Sequence, residues 1–251
     1  MKLCRQLSLL LFAWPLALAA GPGDALVPQA LAAEARLDTK TALGLFLKAA
    51  AAQPNDPFLL EKISKQYSDC IIDTANPDEK KRRAEKALAY AQRAVALEPK
   101  SAVNLTSLAV SYGKLGFYSS TRTEITYSRL VKDYAERALA LDPNYDWAYH
   151  VLGRWNYEVA GIGTTERFFA KLVYGGLPPA STDEAVRLLR HAVVLAPQIA
   201  AHHVELGFAY LADKQPGIAR LEFEQALKLP LHEKYDIEEK ARAQTALEKL
   251  K

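Results

Sequence analysis

Residues 137–143 read Arg-Ala-Leu-Ala-Leu-Asp-Pro, and four other stretches of the chain rhyme with them. Residues 48–54 are KAAAAQP, 93–99 RAVALEP, 191–197 HAVVLAP and 225–231 QALKLPL. Each opens on a polar residue and an Ala and runs through an apolar turn to a proline, which has no amide hydrogen to continue a helix. Three residues after each of the first four prolines a second helical pattern begins. This is a helix-turn-helix repeat, and repeats of this size stack because no single pair can bury its apolar stripe alone. The expected fold is all-α, a right-handed superhelical solenoid that presents a groove.

The five prolines lie 45, 44, 54 and 33 residues apart. The last interval holds the cleanest unit: Leu206-Gly207, Tyr210, Ala219, Phe223 and Ala226. The glycine admits a close helix approach, the aromatics fill the space between helices, and the alanines let the next pair pack. Leu152-Gly153 and Leu108-Ala109 with Tyr112 repeat the theme. These residues resemble the tetratricopeptide repeat, whose unit is about 34 residues, so the earlier intervals carry roughly 10, 10 and 20 extra. The surplus is expected at Asp73–Asp78, around Gly116–Thr123, and in an inserted hairpin over residues 161–181.

Residues 138–182 carry a narrower likeness. The run Leu152-Gly153-Arg154-Trp155, Tyr157-Glu158-Val159-Ala160, Glu166-Arg167, Ala170, Gly175, Pro178 and Ser181-Thr182 resembles the regulator of microtubule dynamics family. The resemblance implies a tetratricopeptide-like fold. It also implies an alternative function, that of a microtubule- or membrane-contact-associated adaptor.

The N-terminus reads as a separate element. Lys2 and Arg5 precede an apolar run from Leu7 to Leu18, closed by Ala17-Leu18-Ala19. That is the pattern of a secretory signal peptide over residues 1–20, which makes the protein exported, periplasmic or secreted. The apolar run is shorter than the roughly 18 residues of a membrane span. Removal of the leader takes the net charge from +3 to +1 and leaves Cys70 as the single thiol, so no internal disulfide can form. The solenoid then occupies residues 24–251.

Charges of both signs alternate along the chain, which gives no footprint for nucleic acid. Five histidines and a lone cysteine supply no zinc spacing, and there is no phosphate-cradling loop, dinucleotide fingerprint or nucleophile elbow. Gly161-x-Gly163 reads as a helix stop. No cofactor, metal or catalytic residue is expected. A non-catalytic scaffold that binds a protein or peptide in its concave groove fits best.

The first helix of each pair lines that groove. Its inward positions are Phe58, Glu61, Lys65 and Ser68; Val103, Thr106 and Val110; Trp147, His150, Arg154 and Tyr157; and Ala201, Val204, Phe208 and Leu211. The candidate binding residues are Trp147, His150, Arg154, Tyr157, Glu158 and Phe208, where aromatic faces and a guanidinium fork suit a peptide. The competing expectation is an Arg154–Glu158 pair one turn apart.

Phe168, Phe169, Leu172 and Val173 form one apolar face in the insertion, expected to pack beside Val204 and Phe208, with a membrane-touching loop as the alternative. Residues 232–251 read as a capping helix with Ile237, Ala241, Ala243, Leu247 and Leu250 on its buried side.

Overall fold

A computed structural model describes residues 25–250; the leader over residues 1–20 and Lys251 lie outside them. Twelve α-helices, one short 3₁₀ turn and no strand occur among the described residues. The helices are α1 (Leu26–Ala35), α2 (Thr39–Ala52), α3 (Pro57–Asp69), α4 (Pro77–Leu97), α5 (Ala102–Gly116), α6 (Thr121–Leu141), α7 (Asp146–Ala160), α8 (Thr164–Tyr174), α9 (Thr182–Leu195), α10 (Ala200–Ala212), α11 (Pro216–Lys228) and α12 (Tyr235–Lys249). They form a solenoid of five tetratricopeptide-like pairs: α1/α2, α3/α4, α5/α6, α7/α9 and α10/α11.

Local sequence sets the joints. Helices α2, α4, α6, α9 and α11 each end two residues before the proline of the repeated phrase. The residue before a proline is pushed out of helical geometry, so one register of stop recurs at every joint. The starts are capped by nearby side chains. Asp56 accepts from the amides of Phe58 (2.9 Å) and Leu59 (3.3 Å), Asn76 from Asp78 (2.9 Å) and Glu79 (3.1 Å), and Ser181 from Glu184 (3.2 Å). Pro57, Pro77 and Pro216 occupy first-turn positions, where no amide partner is needed.

Pairs close through alanine and glycine. Ala84, Ala87, Ala91, Ala135, Ala138, Ala192 and Ala226 are wholly buried. A Cβ on Gly153 would lie 2.5 Å from the Leu189 side chain, and one on Gly207 2.5 Å from the Phe223 ring. The two glycines therefore bring α7 onto α9 and α10 onto α11. Cys70 is buried, and burial pushes its thiol up to about 11, so it behaves as a small apolar residue.

Three expectations are corrected. The surplus of the second and third pairs goes largely into longer helices: α4 and α6 have 21 residues each, against 14 for α9 and 13 for α11. The insertion is one helix, α8, followed by an extended return, rather than a hairpin. Its apolar face does not pack beside Val204 and Phe208. Phe168, Phe169, Leu172 and Val173 are 63, 57, 71 and 54% exposed, and α8 is fastened to α6 instead.

The cover over Val204 and Phe208 is α12, in which Ala243 and Leu247 are buried and Leu250 packs partly buried as expected, while Ala241 is exposed. Its buried residues are Asp236, Glu239, Ala243, Ala246 and Leu247, while Ile237 is exposed. The charged partners described below turn the helix this way.

Gly207→Ala should lower stability by about 1–3 kcal/mol through overpacking against Phe223. Gly44, inside α2 with open space at its missing Cβ, should give the opposite sign, about 0.5–1 kcal/mol of gain on change to Ala. Denaturant melts of both variants check the pair.

Candidate functional site

The segment from Leu229 through the first turns of α12 touches the first helices of four pairs, α3, α5, α7 and α10. Lys65 on α3 binds Glu233 at 2.7 Å, besides Asp69 at 2.8 Å and Glu34 at 3.3 Å. Lys234 reaches Asp73 at 3.0 Å. Lys114 on α5 stands 5.2 Å from the centre of the Tyr235 ring. Arg154 on α7 donates to the Tyr235 hydroxyl. On α10, the amide of Ala201 donates to Asp236 Oδ1 at 3.2 Å, while Asp236 Oδ2 accepts from the amides of His232 (2.8 Å) and Glu233 (2.9 Å). Asp236 thus caps α10, which has no side-chain cap of its own.

Beneath this segment lies a buried charge cluster. Glu205 is fully buried and accepts from Arg154 Nη1 at 3.0 Å, Arg242 Nη1 at 2.6 Å and the Tyr157 hydroxyl. Burial opposes its ionisation, but the two guanidiniums outweigh that and hold its carboxyl well below the usual range. Burial, and then the charge of Glu205, push the Glu239 carboxyl up; Arg242 donates to both Glu239 oxygens, at 2.6 and 2.7 Å. Burial also lowers the Lys114 ammonium.

The six candidate residues are close but unequally accessible. Arg154 also donates Nε to Glu158 at 2.8 Å, so its fork is spread over Glu158, Glu205 and Tyr235. Tyr157 is tied to Glu205. His150 is buried, its Nδ1 3.0 Å from Nδ1 of His202, whose Nε2 lies 2.8 Å from Asp146. Burial, reinforced by His202, takes His150 well below its ordinary value, so it is neutral at pH 7. The half-buried Trp147 ring lies 4.9 Å from both imidazoles, and Phe208 sits under the Arg242 guanidinium at 4.4 Å.

Sequence reasoning missed Glu205, His202, Tyr235, Asp236, Glu239 and Arg242. One signal was available: Glu205 is the single acid in the largely apolar α10, which also holds His202 and His203.

The other end of the face is open. Phe58 and Val103 are 44 and 42% exposed, and Thr106 Oγ1 is buried with no hydrogen-bond partner. Burial pushes the Glu61 carboxyl up to about 7, with Lys62 and Lys65 pulling against it and Glu34 and Asp69 adding to it. No group of three or more His, Cys, Asp or Glu residues among the described residues could hold a metal ion.

The family described as regulator of microtubule dynamics protein 1-3 matches residues 27–251, and the chain belongs to it. Regulator of microtubule dynamics protein 1 of Bos taurus is 25% identical over 73% of this chain and 59% of its own length. Regulator of microtubule dynamics protein 3 of Xenopus laevis is 30% identical over 55% of this chain and 30% of its own. The chain therefore covers between three tenths and three fifths of the length of these relatives. A thermophilic TPR protein of Thermus thermophilus superposes with a TM-score of 0.64 at 18% identity, over 90% of this chain and 98% of that one, which shows the shared fold.

Arg154→Ala should destabilise the protein by about 1–3 kcal/mol, because it leaves the buried Glu205 with one guanidinium fewer. A melt at neutral pH, with Glu158→Ala as the near-neutral comparison, reads this. Glu61 gives a pH dependence of fixed sign. Its carboxyl is raised in the fold from 4.5 to about 7, so its contribution is full below pH 4.5 and is lost as pH rises through 7. Glu61→Gln should therefore flatten the fall in stability between pH 5 and 8, by an amount on the order of 1–3 kcal/mol.

Proposed function

We propose that this member of the family is a non-catalytic scaffold that holds a protein or peptide segment against the face formed by α3, α5, α7 and α10, in the exported compartment to which its leader sends it. The observation that carries the reading is the chain's own Leu229–Glu239 segment. It already lies across these helices, held by cations from α3, α5 and α7 and by an amide of α10. A face that grips one stretch of backbone by charge and ring contacts has the chemistry to grip another beside it. The open end supplies the room: Phe58 and Val103 give apolar anchors, Thr106 Oγ1 has no hydrogen-bond partner in the fold, and the Glu61 carboxyl lies beside Lys62 and Lys65.

The cluster around Glu205 supports a non-catalytic role. Its carboxylate, guanidiniums and phenols are consumed by one another, and the His150–His202 pair is closed off by Asp146. The recognition groups left for a partner are therefore those of α3 and α5.

A photo-crosslinking residue at position 58 or 103, introduced in the native host, should give a discrete adduct. The same residue at Leu97 or Val194, exposed on α4 and α9, should not. Adducts of equal yield from all four positions would remove the groove from the reading. Phe58→Ser with Val103→Ser should weaken capture by about 2 kcal/mol or more, the scale of interface anchors, with an unchanged melt.

A further inference from the structure

Helix α8 carries the largest concentration of exposed apolar side chains in the described chain. Phe168, Phe169, Leu172 and Val173 follow the i, i+1, i+4, i+5 pattern of one helical face, and Ala170 is the only buried residue of the helix. The exposure is built in. At the N-terminal end, Arg167 donates to the carbonyls of Val159 and Ile162. At the C-terminal end, Gly175 and Gly176 take φ of 78° and 80°, a left-handed stop that glycine adopts freely. There Arg129 of α6 donates Nε to the Gly176 carbonyl at 3.0 Å and Nη2 to those of Tyr174 and Gly176. Clamped at both ends, α8 holds its apolar side away from the body.

We propose that this face docks on an anionic lipid surface, with α8 lying in the plane of the interface. Three observations choose lipid as the occupant. The first is charge. The ionic side chains on or touching the segment are Arg122, Arg129, Arg167 and Lys171 against a single acid, Glu166. Arg122 and Lys171 are exposed while Arg129 and Arg167 are held in the clamps, and an apolar stripe on a segment of net positive charge is what headgroups of negative charge attract. The second is size. Phe168 and Phe169, of about 150–250 Å² each, and the smaller Leu172 and Val173 are only 54–71% exposed, so the area they offer is below the roughly 800 Å² that a stable protein interface takes from each partner. Insertion into lipid needs no shape match and no such area. The third is Tyr174, at the end of the helix with the Arg122 guanidinium 5.8 Å from its ring centre; an aromatic ring beside a cation suits the headgroup level.

No helix among the described residues is long and apolar enough to cross a membrane, so the contact is a surface one. Because α8 is fastened to α6, a second helix of its pair, the docked face is not one of the four helices that line the groove. Lipid and a groove partner can be held together.

The experiment uses the full chain with vesicles of phosphatidylcholine, alone or with about a third phosphatidylglycerol. Hydrogen exchange localises the contact: amides of residues 164–174 should slow only with the anionic vesicles. Phe168→Ser with Phe169→Ser should cut flotation with these vesicles by about tenfold or more at an unchanged melt. Lys171→Glu should weaken the anionic binding while leaving the fold intact. Vesicle binding without protection at 164–174, equal flotation of the double variant, or no flotation at all would each overturn the proposal. So would a wild-type dimer in sedimentation that the double variant converts to monomer, since a second copy would then be the occupant.

Discussion

A carboxylate in the middle of an apolar helix governs the architecture of the C-terminal half. Glu205 lies between Val204 and Leu206 on α10, wholly out of water, and an unpaired charge there would cost several kcal/mol. Arg154 comes to it from α7 and Arg242 from α12, with the Tyr157 hydroxyl completing the shell. Meeting that one demand fixes the rotation of α12, which in turn buries Glu239 and Asp236 and sends Ile237 to solvent. The apolar cover over Val204 follows from the same rotation, through Ala243, Ala246 and Leu247.

Much of the scaffold was legible because its signals are local. A proline two residues past each second helix acts on its own neighbour, and the same is true of Asp56, Asn76 and Ser181 as caps. Gly153 and Gly207 were legible for a related reason: a glycine in a helix needs a close approach to justify its cost. What stayed hidden was non-local. Asp236 caps a helix that begins 36 positions earlier in the chain, and no spacing rule connects it to Ala200. On α12, Ala243 and Leu247 were placed correctly but Ile237 and Ala241 were not, because the apolar count alone favoured Ile237 while a distant carboxylate favoured Arg242. The surplus expected around Gly116–Thr123 is loop only at 117–120, and the rest goes into α6, which nothing between Thr121 and Leu141 breaks.

Two surfaces of different character result. The face of α3, α5, α7 and α10 is polar at one end, where charges cancel one another, and open at the other around Phe58 and Val103. The α8 face is apolar, carried on a segment of net positive charge and set apart on its own clamps. The adaptor role proposed above would use such a division, because surfaces that bind by unlike forces do not compete for the same occupant. Membership of the regulator of microtubule dynamics family and the tetratricopeptide-like fold are both consistent with that division.

The bridges from Glu233 to Lys65 and from Lys234 to Asp73 have a consequence for how the chain behaves as a polymer. An open array of repeats gains stability one neighbour at a time and can fray from either end. Here the segment leading into α12, the last described helix, reaches back to the second pair, so the described repeats are bridged into a loop. Closure of so long a span carries an entropy cost that is recovered only when both ends are formed. The final tightening of the molecule is therefore a late, long-range event laid over fast local pairing. Fraying at the C-terminus is transmitted to α3 without passing through the intervening helices.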